Sequence, residues 1–111
     1  MHASMKWITG VLMCTLTVGV AGAAASAATP ELIAKKAGCL MCHAVDKKLL
    51  GPSYHDIAAK YKGDEKAPAA LAARVRKGGT GVWGKAIMVP VDAKKITDAD
   101  LEAVIAWILN P

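Results

Sequence analysis

Two cysteines and a histidine lie close together near position 40 of the sequence. Cys39, Cys42 and His43 form the pattern C-x-x-C-H, which is typical of the covalent attachment of a c-type haem. Each thiol can add to one vinyl group at the porphyrin edge, and the histidine is then placed to bind the iron through an imidazole nitrogen. The pattern therefore predicts one covalently bound haem c, with His43 as an axial ligand of its iron.

The same cysteine spacing also occurs in zinc half-sites and in thioredoxin-like dithiols. A four-ligand zinc site needs a second pair of ligands, but residues 28–111 contain no third cysteine and, besides His43, only His55. A redox dithiol normally follows a β-strand in a βαβ pattern, and the sequence before Cys39 shows no such strand. Both alternatives, and that of two ordinary buried cysteines, are weaker than haem attachment.

The second axial position of the iron could be taken by Met41, Met88, His55 or a lysine, or by no side chain at all. Met41 lies between the two anchored cysteines and cannot reach the opposite face of the porphyrin. Met88 lies about forty-five residues beyond His43 in an apolar, glycine-rich stretch, which is enough chain to wrap round the cofactor. His55 is the alternative and would give a bis-histidine haem of lower potential. We predict Met88 as the distal ligand and His55 as a surface residue.

The first 27 residues have the pattern of a secretory signal peptide. Lys6 precedes an apolar run that ends near Val20, and the small residues that follow match the A-x-A rule for cleavage at Ala27. The run is short and broken by glycine and threonine, which favours a cleaved leader over a retained membrane anchor. We therefore expect export to the periplasm, a single domain formed by residues 28–111, and no stable membrane insertion.

Four stretches of this domain have the start and stop signals of helices. We expect helices over residues 30–38, 54–61 and 67–77, and a last one that begins after Thr97. The last helix has an apolar stripe at helical spacing, formed by Leu101, Val104, Ile105, Ile108 and Leu109. These elements predict an all-α fold of about four helices wrapped round one haem.

Residues 78–96 differ in character from the rest of the domain. Gly78, Gly79, Gly81, Gly84 and Pro90 exclude a regular helix, yet much of the stretch is apolar. A long apolar loop in a small domain usually has a functional reason. We expect this loop to face the haem.

The composition fits a small domain that depends on its cofactor. The sequence has no phenylalanine and three cysteines, one of them in the leader, so neither aromatic bulk nor a disulfide framework stabilises the fold. The formal net charge is +5, which predicts acidic partners. The basic residues are scattered without interleaved aromatics, which argues against nucleic acid. Five lysines are candidates for steering a partner: Lys35, Lys36, Lys47, Lys48 and Lys85.

Residues 28–111 resemble the short bacterial class I cytochromes c over essentially their whole length. The resemblance is carried by these short sequence motifs: C-L-M-C-H at 39–43, G-P-S-Y at 51–54, D-I-A-A-K-Y at 56–61, G-V-W-G at 81–84, Met88 with Pro90 near it, and A-W-I-L at 106–109. The resemblance implies an all-α fold, coordination by His43 and Met88, and one-electron transfer between periplasmic redox enzymes. Because two such ligands would leave the iron no open position, we expect a monomeric carrier and not an enzyme. The alternatives are a small haem enzyme or gas binder with an open distal site, and a haem subunit of a membrane redox complex.

The resemblance also implies two supporting contacts. The carbonyl of Pro52 would accept the ring N–H of His43, and the indole N–H of Trp83 would reach a haem propionate. The family often has proline close to the methionine on both sides. Here Ala and Ile precede Met88, and Val and Pro follow it. The resemblance therefore does not establish how rigid the loop that carries Met88 is.

Overall fold

A computed structural model describes residues 28–111 and, before them, Gly19 alone. The predicted signal peptide and its cleavage site otherwise lie outside the described residues. The described part is predominantly helical, which confirms the predicted fold class. Its helices are α1 (Pro30–Lys36), α2 (Tyr54–Lys60), α3 (Ala67–Lys77) and α4 (Asp98–Leu109). Within residues 28–111 no helix is both long enough and apolar enough to cross a bilayer.

Hydroxyl side chains cap three of these four helices. The hydroxyl oxygens of Thr29, Ser53 and Thr97 each accept a backbone N–H three residues further on, at 3.3, 3.0 and 3.2 Å. Each such cap contributes about 1 kcal/mol. The helix α3 has no side-chain cap and carries proline in its first turn instead. The helix starts are thus fixed locally.

The core lies around α4, which packs against α1, α2 and α3. Leu101, Val104 and Ile105 of the predicted stripe are buried, whereas Ile108 and Leu109 are only partly buried. Ala34 and Ala37 bring α1 close to this face, and Ile96 closes it from the segment before α4. Burying each large aliphatic side chain contributes about 1.5–3 kcal/mol. One helix therefore organises the whole helical part.

The stretch expected to be a loop contains a small β-hairpin. Strand β1 (Gly79–Gly81) pairs antiparallel with β2 (Gly84–Met88), in the register Gly79 with Met88 and Gly81 with Gly84. Gly79, Gly81 and Gly84 have φ values of 132°, 105° and 103°, which residues with a β-carbon rarely adopt. The expectation of an unpaired loop was wrong here, because glycines that exclude a helix also allow two short backbones to pair.

Candidate haem site

Cys39 and Cys42 lie in and at the end of a 3-10 turn, Cys39–Met41, that follows α1. Gly38, with a φ of 86°, turns the chain out of the helix. The backbone N–H groups of Cys42 and His43 both donate to the carbonyl of Cys39, at 3.2 and 3.0 Å. Side chains three residues apart in a 3-10 turn lie on the same side. The two free, partly exposed thiols are therefore presented together.

The ring of His43 is oriented by the backbone of a later residue. Its Nδ1 lies 2.8 Å from the carbonyl oxygen of Pro52. Because a carbonyl oxygen can only accept, Nδ1 carries the hydrogen, and the lone pair of the neutral ring is on Nε2. The structure thus contains the hydrogen bond that the resemblance implies, and it leaves the outer ring nitrogen ready to bind a metal.

Two further residues, which the sequence analysis did not assign to the site, hold the same ring. A β-carbon on Gly51 would lie 2.5 Å from Cε1 and 2.8 Å from Nδ1 of His43, so only glycine fits there without a shift. The ring of Tyr54 stacks on His43 with centroids 5.6 Å apart and planes 21° apart. Tyr54 in turn meets the indole of Trp107 edge-on at 5.5 Å, which connects the histidine to α4.

The groups beside His43 are uncharged at neutral pH. Burial, and secondarily the neighbouring Cys39 thiol, raise the pKa of the Tyr54 hydroxyl far above its ordinary range. Burial also raises the pKa of the Cys39 thiol, although hydrogen bonds partly oppose this. Neither group therefore places a negative charge next to the histidine.

Met88 is the last residue of β2 and is half-buried. Its backbone lies directly against the end of α3: a β-carbon on Gly78 would lie 2.5 Å from the carbonyl oxygen of Met88 and 2.8 Å from the nitrogen of Pro90. Gly78 also has a φ of 69°, so both space and backbone conformation require glycine there. This close approach therefore fixes the position of the Met88 backbone relative to the end of α3.

Trp83 lies in the turn between the two strands. The Nζ of Lys60 lies 5.4 Å from the centroid of its ring and 5.9 Å from that of Tyr61. This cation–π contact uses the ring face and leaves the in-plane indole N–H for other acceptors. With a rise of about 1.5 Å per residue, α2 extends roughly 9 Å from Tyr54 to Lys60. Its first residue stacks on His43, and its last contacts Trp83 of the hairpin.

The predicted site residues thus form two groups. Cys39, Cys42, His43 and Pro52 lie together. Met88 and Trp83 lie on the hairpin, and their contacts are those with α3 and Lys60. Met41, by contrast, is 82% exposed, and His55 is exposed on α2.

Large apolar side chains close in sequence to each of these two groups are exposed to solvent. Leu50 is 69% exposed and Ile87 76% exposed, and Leu49, Val82 and Val89 are also exposed. A large apolar disc would cover such side chains, with a gain of about 25 cal/mol per Å² of apolar surface. Two free thiols, an imidazole with Nε2 unused, a thioether and exposed apolar side chains on both segments fit a haem.

These features define a small haem protein in which the cofactor is bound covalently. The sequence matches the cytochrome c family model over residues 27–110, and the chain belongs to the cytochrome c family. It is similar to cytochrome c2 of Rubrivivax gelatinosus, with 56% identity over 83 residues that cover 75% of this chain and 98% of that protein. Cytochrome c-552 of Hydrogenobacter thermophilus is 41% identical over 95 residues, covering 86% of this chain and 94% of the relative.

A solved structure agrees with these sequence relatives. The crystal structure of wild-type cytochrome c552 from Nitrosomonas europaea matches with a TM-score of 0.67 and 41% identity, covering 72% of this chain and 96% of that one. The protein is therefore a small class I monohaem cytochrome c with covalently bound haem c, an electron-transfer protein and not an enzyme, and its Cys39 and Cys42 fit the attachment motif of that haem. The predicted family and cofactor are confirmed, whereas the axial ligands and the roles of Pro52 and Trp83 stay predictions.

Proposed function

We propose that the protein is a periplasmic one-electron carrier whose haem iron is bound by His43 and Met88. The observation that carries the proposal is the 2.8 Å hydrogen bond from Nδ1 of His43 to the carbonyl of Pro52. It fixes the tautomer and orientation of the ring and raises its basicity toward a metal at Nε2. On the second segment, Met88 supplies the neutral thioether at the end of a strand that is anchored by its backbone.

The haem, when bound, supplies a one-electron couple at its iron. The residues around it keep the ligands still: Gly51 and Tyr54 restrict the His43 ring, and the Pro52 carbonyl holds the proton on Nδ1. The thioether of Met88 favours the reduced state and raises the potential relative to a second histidine. Two fixed ligands leave no open position for a substrate, which supports a carrier over a small haem enzyme or gas binder.

Export and partner choice follow from the leader and from the charge. The predicted signal peptide would deliver the chain to the periplasm. The five lysines singled out in the sequence are all exposed: Lys35, Lys36, Lys47, Lys48 and Lys85. Lys47 and Lys48 lie in the segment between His43 and Pro52. We therefore propose acidic redox partners that dock transiently, through a small interface and with electrostatic steering.

The distal ligand is tested by replacing each candidate methionine in the holoprotein. We expect Met88→Ala to abolish the sulfur-to-iron charge-transfer band, to shift the midpoint potential and to let the ferrous protein bind carbon monoxide. Met41→Ala is the matched control and should change none of these, since Met41 is largely exposed.

Two results would overturn the ligand assignment. One is a Met88→Ala protein that keeps the native spectrum and binds no carbon monoxide. The other is a His55→Ala protein that shows the changes expected of Met88→Ala, because the haem would then have two histidine ligands.

A further inference from the structure

We propose that Arg76 is a positioning residue for the distal ligand, because its guanidinium fixes the chain segment that follows Met88. The inference rests on the proposed function, in which Met88 binds the iron. It also answers the question raised by the missing proline before the methionine. In this chain, hydrogen bonds to α3 restrain the residues that follow Met88.

Arg76 projects from α3 and is mostly buried, with 25% of its side chain exposed. Its Nη1 donates to the carbonyl of Val91 at 3.1 Å, and its Nη2 donates to the carbonyl of Ile96 at 2.9 Å. Val91 and Ile96 are both buried in the core. The planar guanidinium presents its donors in a fixed geometry, so it can hold two carbonyls at once in a way that lysine cannot.

The segment that Arg76 holds begins at Val91, three residues after Met88. The N–H of Val91 donates to the carbonyl of Val75 at 3.0 Å, so this residue is bound to α3 through both its N–H and its carbonyl. At the other end, Met88 pairs with Gly79 and lies against Gly78. The chain from Met88 to Val91 is therefore attached at one end to the two glycines that directly follow α3 and at the other end to the last turn of that helix.

Packing against other protein side chains does not hold the strand that carries Met88. Every residue of β1 is exposed, and so is every residue of β2 except Met88. Apart from the haem, hydrogen bonds and close backbone contacts must therefore restrain the strand, and Arg76 supplies two of the bonds beyond it, to the carbonyls of the third and eighth residues after Met88. Loss of those two bonds should let the methionine move away from the iron more often.

The ion pair of the same guanidinium is a weaker contribution. Nη2 of Arg76 also lies 2.6 Å from Oδ1 of Asp98, whose side chain is 86% exposed. Exposed ion pairs of this kind contribute little. The two carbonyl contacts, and not the ion pair, should account for the positioning.

Competition by imidazole tests the proposal on the ferric holoprotein. Added imidazole takes the distal position whenever the methionine leaves, and its binding changes the visible spectrum. We expect Arg76→Met to raise the affinity for imidazole about tenfold, as the loss of one to two hydrogen bonds implies. Arg76→Lys should give a smaller increase, because its single ammonium can retain one carbonyl contact.

Two controls separate positioning from general destabilisation. Asp98→Asn removes the ion pair and keeps both carbonyl contacts, and Lys77→Met removes an exposed positive charge from the neighbouring position of α3. Both should leave the imidazole affinity within about twofold of the wild type. If Arg76→Met does not yield holoprotein, Arg76→Lys alone carries the comparison.

The proposal fails if the Arg76 variants bind imidazole like the wild type, even when they are less stable to denaturant. It also fails if Asp98→Asn raises the affinity as much as Arg76→Met does. A Met88→Ala protein measured alongside identifies the other kind of failure. If it shows no large gain in imidazole affinity, the ligand assignment is wrong, whatever Arg76 does.

Discussion

Gly51 lies so close to His43 that a β-carbon on the glycine would reach to within 2.5 Å of Cε1 of the imidazole. The contact joins a residue with no side chain to the one whose ring we propose as a ligand of the haem iron. Since the same ring donates a hydrogen bond to the carbonyl of Pro52 and stacks on Tyr54, it cannot move away from an added carbon without losing one of these contacts.

We therefore predict that Gly51→Ala destabilises the holoprotein by about 1–3 kcal/mol, as overpacking does, and that it shifts the visible spectrum. Gly63→Ala is the control, because Gly63 has a φ of 77° but no atom near an added β-carbon. It should cost about 1 kcal/mol through backbone strain and leave the spectrum unchanged. The two measurements are denaturant unfolding and absorption spectroscopy. Equal spectra for both variants would contradict the role of Gly51.

Trp83 gives a second prediction, which concerns its N–H. Trp83→Phe keeps an aromatic face for Lys60 but removes the donor that the family resemblance directs at a propionate. We expect the pH dependence of the midpoint potential to change in this variant, since an unpaired propionate is harder to keep charged. Trp107→Phe, on α4, is the control and should leave that pH dependence as it is. An unaltered titration in Trp83→Phe would reduce Trp83 to a packing residue.

The exposed lysines near the site give a third prediction. Replacing Lys47 and Lys48 with glutamate should slow electron exchange with an acidic partner and weaken its dependence on ionic strength, because these charges lie in the segment next to His43. The same double change at Lys94 and Lys95, in the turn before α4, is matched in charge. We expect it to have a clearly smaller effect in stopped-flow measurements across a salt series. Equal effects of the two pairs would mean that only net charge matters.

A fourth prediction concerns removal of the haem. Leu50, Ile87 and other large apolar side chains stay exposed unless a cofactor covers them, and the helices α1 and α2 have seven residues each, too few to be stable alone. A Cys39→Ser, Cys42→Ser protein produced without haem should therefore be largely unfolded by far-UV circular dichroism. A native-like spectrum from this protein would show that the helical core suffices without the cofactor.

The helices were predictable because their signals are local. Thr29 and Thr97 mark helix starts by hydroxyl caps, Ser53 lies in the turn expected before the second helix, and the structure begins helices at each of these points. The stop at Gly78 was equally visible, and α3 ends at Lys77 as expected. The first helix ends slightly earlier than expected, at Lys36, because the chain needs residues to turn into the cysteine segment.

The features that escaped prediction depend on residues far apart in the sequence. Arg76 donates to backbone carbonyls fifteen and twenty residues away. Since every residue has a backbone carbonyl, the sequence does not show which of them a guanidinium will bind. The role of Gly51 depends on where the His43 ring lies, so the sequence showed only a turn. The hairpin was missed because glycine indicates where a helix stops and not whether two strands then pair.

The exposure of β2 has an evolutionary consequence. Lys85 and Ala86 are exposed and, unlike Ile87, are not among the large apolar side chains that the cofactor would cover, and substitutions at such positions usually change stability by no more than about 0.5 kcal/mol. These two residues are thus free to diverge in charge and size while the backbone that carries the methionine stays in place. A lineage that acquires a new redox partner could alter its docking surface here by single substitutions, with little loss of stability.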